Sequence, residues 1–151
     1  MANTQAMTTS FKAELLTGTH NFGVAPTRGS TAADSFKAAL YLVSATVNST
    51  TTAYAATGEV TGTGYTAGGV AVTNATVPTS SGTTAYWTPS ASITYTTVTL
   101  TTAFDAVLIY NSTQSNKAVS VHTFGSQTVT AGTFSLTMPT NGAGTALLNI
   151  A

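Results

Sequence analysis

Two histidines, four carboxylates and a large supply of hydroxyls are the side chains here that could carry acid–base or nucleophilic chemistry. A histidine oriented by a carboxylate can draw a proton from a neighbouring hydroxyl and make it a nucleophile. The bases on offer are His20 and His122, and the acids are Glu14, Asp34, Glu59 and Asp105. His122 lies in Val121-His122-Thr123-Phe124, where strand alternation puts it on one face with Ser120 and Phe124, and Val121 and Thr123 on the other. His20 falls in a loop. With 35 threonines in the chain, a hydroxyl near either ring is a consequence of composition and carries no catalytic signal. A metal centre would need His20 and His122 brought together with Asp105 or Glu59, at no recognised ligand spacing. A carboxylate pair for glycoside hydrolysis would have to come from the same four acids. The chain has no cysteine, which removes disulfides, thiolate ligands and thiol nucleophiles. The sequence therefore assigns no catalytic, cofactor-binding or metal-binding residue.

The segment Gly58-Glu-Val-Thr-Gly62-Thr-Gly64-Tyr65 resembles a phosphate-binding loop only superficially, because it lacks the lysine of a P-loop and no helix follows. It reads as a strand-to-strand turn, with Glu59 an anchor that accepts backbone N–H groups of the loop, or else an interface contact. Asn48-Ser-Thr, Asn74-Ala-Thr and Asn111-Ser-Thr match the glycosylation sequon by chance in a threonine-rich chain. Tyr41, Tyr54, Tyr65, Tyr86, Trp87 and Tyr95 are more than a small core needs, and Tyr and Trp tips suit interfaces where one end is apolar and the other wet. For any one of them, the core or its edge is the better placement.

The elements that must position these residues are β-strands. A chain of 151 residues fits one domain, since single cores take about 100–200 residues. Threonine, its most frequent polar residue, is β-branched and suits a pleated surface. A hydrophobic content of 42% with thirteen aromatics is too apolar for a solvated tail. Alternation in Phe36, Ala38, Leu40 and Leu42 predicts a strand over 36–47, and a short second one is expected over 54–59. The glycines of 62–69 predict a structured loop with positive φ. Short β-branched or aromatic runs follow at 70–77, 91–100, 106–110, 118–124, 128–138 and 146–150. They are separated by turn signals at 78–82, Pro89-Ser90, Asn111-Ser112, Gly125-Ser126, Ala131-Gly132 and 139–142. Ser10 to Gly18 predicts a helix of two turns over about 10–17, capped by Ser10 and ended by Gly18, with Phe11, Leu15 and Ala13 towards one face. So short a helix must dock on the domain or on a neighbour. His20 to Ala33 reads as loop. The expected fold is an all-β, single-domain antiparallel β-sandwich, jelly-roll-like, of about 7–9 strands. Residues 1–33 form an N-terminal arm with the short helix, and residues 34–151 the β-domain.

Charge narrows the function classes. Only 5% of residues are charged and the net charge is zero, against about 25% charged in an ordinary soluble domain. Much of the outside is therefore expected to be covered in an assembly. The four cations are scattered, which argues against nucleic acid. No apolar run approaches the ~20 residues of a membrane span, and the first ten residues lack the basic and apolar regions of a signal peptide. The expectation is a protein made and kept in a cytoplasm until it assembles.

Several segments together resemble small structural proteins of tailed bacteriophages. They are the strand Phe-Lys-Ala-Ala-Leu-Tyr-Leu at 36–42, the loop from Glu59 to Gly69, Ala106-Val-Leu-Ile-Tyr110-Asn111, and Phe124-Gly125 leading to the terminal Ala-Leu-Leu-Asn-Ile. The resemblance spans about residues 8 to 151, and its motifs are structural ones. It implies a non-enzymatic virion component, a capsid cement or decoration protein on the capsid surface. Its partners would be the major capsid protein and copies of itself, as a dimer or trimer. A tail, collar or head-fibre module is the alternative within that class. A receptor- or carbohydrate-binding sandwich with Trp87 and Tyr86 as a stacking platform is the alternative outside it. Exposed apolar character nominates Phe11, Leu15, Leu16, Tyr65, Tyr86 and Trp87 as interface residues.

Overall fold

The computed structural model describes residues 3–16, 18–20, 22 and 33–151, without the side chains of Lys12, Ala13 and Leu16. It is mostly β, with two antiparallel sheets. In chain order the elements are β1 (Ala6–Met7), α1 (Thr9–Leu16), β2 (Phe36–Leu42), β3 (Val70–Val72), β4 (Thr79–Ser81), β5 (Thr84–Trp87), β6 (Ile93–Asn111), β7 (Lys117–Leu136) and β8 (Leu148–Ile150). The larger sheet has the order β1-β7-β6-β2-β3 and the smaller β4-β5-β8.

The alternation over Phe36–Leu42 produces β2, an interior strand between β6 and β3 whose side chains serve both faces of the larger sheet. On one face Phe36, Ala38 and Leu40 join Val107 and Ile109 of β6, together with Trp87 of β5 and Leu148 of β8 from the smaller sheet. This principal core therefore draws on both sheets. On the opposite face Ala39 and Tyr41 pack with Ala106, Leu108, Tyr110 and Val121, under a cover formed by Ala45, Val47 and Tyr54. A sheet covered on both sides needs apolar residues in both registers, which is why β2 and the C-terminal half of β6 are almost continuously apolar.

The strand boundaries differ from those expected in specific ways. β2 stops at Leu42, where its pairing with β6 slips between Tyr41 and Leu42. Residues 54–59 form no strand: Glu59 makes an isolated bridge to Tyr41, and Ala53, just before the segment, one to Lys117. The separate runs at 91–100 and 106–110 are one strand, β6, and those at 118–124 and 128–138 are another, β7. Gly125-Ser126 and Ala131-Gly132 are not chain reversals: both lie inside β7, and the second is a bulge with Ala131 at φ 46°. The β6–β7 ladder slips at several points from Tyr95 to Ala106, and such bulges let a long ribbon bend around a core. Residues 78–82 carry β4, which pairs with β5 around Gly82 at φ 58°.

Helix α1 is capped by Thr8 and not by Ser10. The Thr8 Oγ1 accepts the Phe11 N–H at 3.3 Å, while the buried Thr8 hydroxyl donates to the Ala118 carbonyl and so fixes the cap to β7. Gly18 ends the helix at φ 66°. Phe11 is 1% exposed and belongs to the principal core, so the N-terminal arm and the β-domain share one interior.

Candidate functional site: an apolar cleft bordered by a buried polar chain

Four of the six nominated interface residues come together. Phe11 and Leu15 from α1 meet Tyr86 and Trp87 from β5 around a cleft of about 370 Å³, completed by Phe22, Val77, Pro78, Leu148 and Ile150. Helix periodicity puts Phe11 and Leu15 on one face four residues apart, and strand alternation sends Trp87 inward and leaves Tyr86 half-buried. The cleft is not a display of exposed rings. Phe11 and Trp87 are buried, and only Val77 and Ile150, which were not nominated, stand out as large exposed apolar groups on its lining. Trp87 packs on Phe22 and Phe36 and donates its indole N–H to the Thr76 carbonyl at 2.8 Å. It presents no open face on which a sugar could stack. Leu16 lies outside the described side chains, and Tyr65 lies elsewhere, in the glycine loop.

His20 forms one wall of the cleft and belongs to a polar chain that sequence spacing did not predict. Its Nε2 lies 2.7 Å from Glu14 Oε2 and its Nδ1 3.0 Å from Asn111 Nδ2. Asn111 is oriented by two backbone N–H groups, Thr113 and Gln114, which donate to its Oδ1. Its amide nitrogen therefore faces both His20 and the Asp34 carboxylate, at 2.7 Å from the latter. With an amide N–H pointing at Nδ1, the ring accepts there and donates from Nε2 to Glu14. Glu14 also binds Lys117. Burial pushes the Glu14 carboxyl up, but the hydrogen bonds from Lys117 and His20, with the Lys117 charge, outweigh that and hold it below the usual range. Among the described residues no hydroxyl bonds to His20. This geometry ties helix α1, the segment leading into β2 at Asp34 and the end of β6 together.

Glu59 makes a second knot. Its Oε1 accepts the Gly68 N–H and the Tyr65 hydroxyl, both at 2.7 Å, and its Oε2 accepts the Tyr54 hydroxyl at 2.6 Å. The role of anchoring the glycine loop through a backbone N–H is present, with two tyrosines added. Tyr65 in turn accepts the Leu40 N–H at 3.0 Å, and Tyr110 donates to the Gly68 carbonyl at 2.7 Å. Burial and the neighbouring carboxylate both push the Tyr65 and Tyr54 hydroxyls far up, and burial raises Tyr41 to about 12. These phenols stay neutral donors. Gly69, at φ 72°, lies so close to the Ala38 carbonyl that a Cβ would collide with it, which explains a glycine at the point where the loop meets β2.

His122 stands apart from both knots. It bonds Ser120 at 2.9 Å, and it lies among Val107, Ile109, Phe124 and Leu136. Burial lowers its pKa to about 4, so the ring is neutral at physiological pH. No carboxylate bonds to it. Asp105, the remaining acid, accepts from the Asn3 amide. Among the described residues no group of three metal-ligating side chains converges. No protein-family model, curated protein or solved structure matches this chain.

Proposed function

We propose that this chain is a non-enzymatic structural protein of a bacteriophage virion. As a capsid cement or decoration protein, it binds the assembled head shell together with copies of itself, and its two sheets form a jelly-roll-like sandwich. The observation that carries the reading is the use of the carboxylates. Glu14 serves His20 and Lys117, Asp34 serves Asn111 and Gln114, Glu59 serves the glycine loop, and Asp105 serves Asn3. All four acids of the chain are internal ties, and among the described residues neither histidine bonds both a carboxylate and a hydroxyl. What faces outward is a nearly uncharged surface rich in threonine and serine, suited to contacts whose strength does not depend on salt.

The mechanism is mass action. A protein that binds the assembled shell and not its free subunits favours the assembled state, and the effect accumulates over many equivalent sites. Co-sedimentation of the purified chain with emptied phage shells at low and high ionic strength tests this. Saturable binding that persists at high salt is expected. Absence of binding to shells, with binding to tails or to a glycan surface, contradicts the cement reading and moves the chain to a fibre or adhesion role.

A further inference from the structure

The two edges of β7 are treated very differently. Its inner edge is paired with β6 between Lys117 and Leu136, whereas among the described residues its outer edge is met only over Lys117–Val121, by β1 at Ser120 and Val121 and by Thr8, Thr52 and Ala53 before them. Upstream of Ala6 the chain leaves β7, since Thr4 donates its N–H to the Val47 carbonyl and the Asn3 amide reaches Leu42 and Asp105. From Thr123 to Thr130, before the bulge at Ala131, no described residue pairs with the outer edge.

A bare strand edge is a row of backbone donors and acceptors that takes another extended strand, and soluble proteins ordinarily guard such edges with lysine, proline or brevity. Lysine, proline and brevity are all absent from this edge, and its irregularities are the slips of its pairing with β6 on either side of Gln127. Residues 123–130 include neither a proline nor a charged side chain, and no Asp, Glu, Lys or Arg follows Lys117 in the sequence.

We infer that residues 123–130 of β7 are a self-association surface, on which the same segment of a second copy lies antiparallel about a two-fold axis, joining two sheets into one. The occupant follows from length and charge. The outer edges of β3 and β4 are each three residues long, so pairing β7 with either would leave most of it bare. Only another β7 matches it along its length among the described strands. Pairing a strand with its own copy about a two-fold axis brings the same set of charges together from both sides, which is repulsive for an edge of one sign and without cost for this uncharged one. The exposed Ser126, Thr128 and Thr130 supply hydroxyl-bearing side chains suited to cross-strand contacts.

The inference deepens the proposed self-association by giving it a surface, and its test separates the two. Sedimentation equilibrium on the full chain is expected to give a mass twice the 15.2 kDa of one copy. The double variant Thr128→Lys/Thr130→Lys places like charges on the shared edge at exposed positions, and is expected to raise the dimer Kd by about tenfold or more. A control with two lysines at other exposed positions, Thr57→Lys/Ala67→Lys, is expected to dimerise as the wild type does. Circular dichroism melting should show all three chains folded. An oligomer that survives the edge lysines, or one of any stoichiometry other than two, overturns the edge pairing and leaves self-association standing. A wild-type chain that stays monomeric at high concentration overturns both.

Discussion

Glu59 accepts three hydrogen bonds from groups that are themselves buried or half-buried, so its removal strands the Gly68 N–H and two phenols at once. Glu59→Ala is therefore expected to cost about 3 kcal/mol, measured by urea unfolding, since hydrogen bonds to a charged acceptor contribute about 1.5–3 kcal/mol each and do not add fully. A change below about 0.5 kcal/mol would show that the knot is not holding the loop. His122 gives a pH dependence with a definite sign. Its folded pKa of about 4 lies below the ordinary 6.5, so the unfolded chain takes up the proton first and stability falls as pH drops from about 6.5 towards 4. Between about pH 7 and pH 5 this loss amounts to about 2 kcal/mol. His122→Gln should lose that much less than the wild type over the same interval, and parallel curves for the two proteins would rule the assignment out. The Glu59 anchor was readable in advance because a lone acid in a glycine-rich loop has backbone N–H groups to satisfy. The His20–Asn111–Asp34 chain was not, because its members are 14 to 91 residues apart in sequence and only the fold brings them together.

At the scale of elements, the arm, the glycine loop and the long ribbon behave as one structure. Phe11→Ala removes a fully buried ring between α1 and both sheets and is expected to cost about 3–5 kcal/mol in a single cooperative transition. If the arm were an independent appendage, the main unfolding transition would keep its midpoint. Alternation identified β2 and most of β6 because buried strands are dense in β-branched and aromatic residues. The Asn111-Ser112 turn was legible from an asparagine whose side-chain oxygen takes two following N–H groups. The breaks expected at Gly125-Ser126 and Ala131-Gly132 failed for a physical reason. The far half of β7 is exposed over much of its length, so it carries turn-like residues without being a turn, and a bulge with positive φ has the same composition as a reversal. The β4–β5 hairpin escaped for the same cause, since Thr79, Ser80 and Ser81 are all exposed. Apolar content nominated Phe11 and Trp87 as exposed contacts, but a large ring at the junction of two sheets is where burial is most favourable, and both lie inside.

For the whole molecule, the distribution of charge is the organising feature. The acids are spent on internal ties, the last 34 residues carry no Asp, Glu, Lys or Arg, and no described residue pairs with the outer edge of 123–130 within them. A free monomer with that surface has little electrostatic protection against association, which suits a protein whose working state is an assembly. The central claim is that this working state is a shell bearing many copies, and electron cryo-microscopy of intact particles tests it most directly. The account predicts density for this chain repeated at capsid symmetry positions. A few copies confined to the tail or collar, or none in the particle, would contradict it.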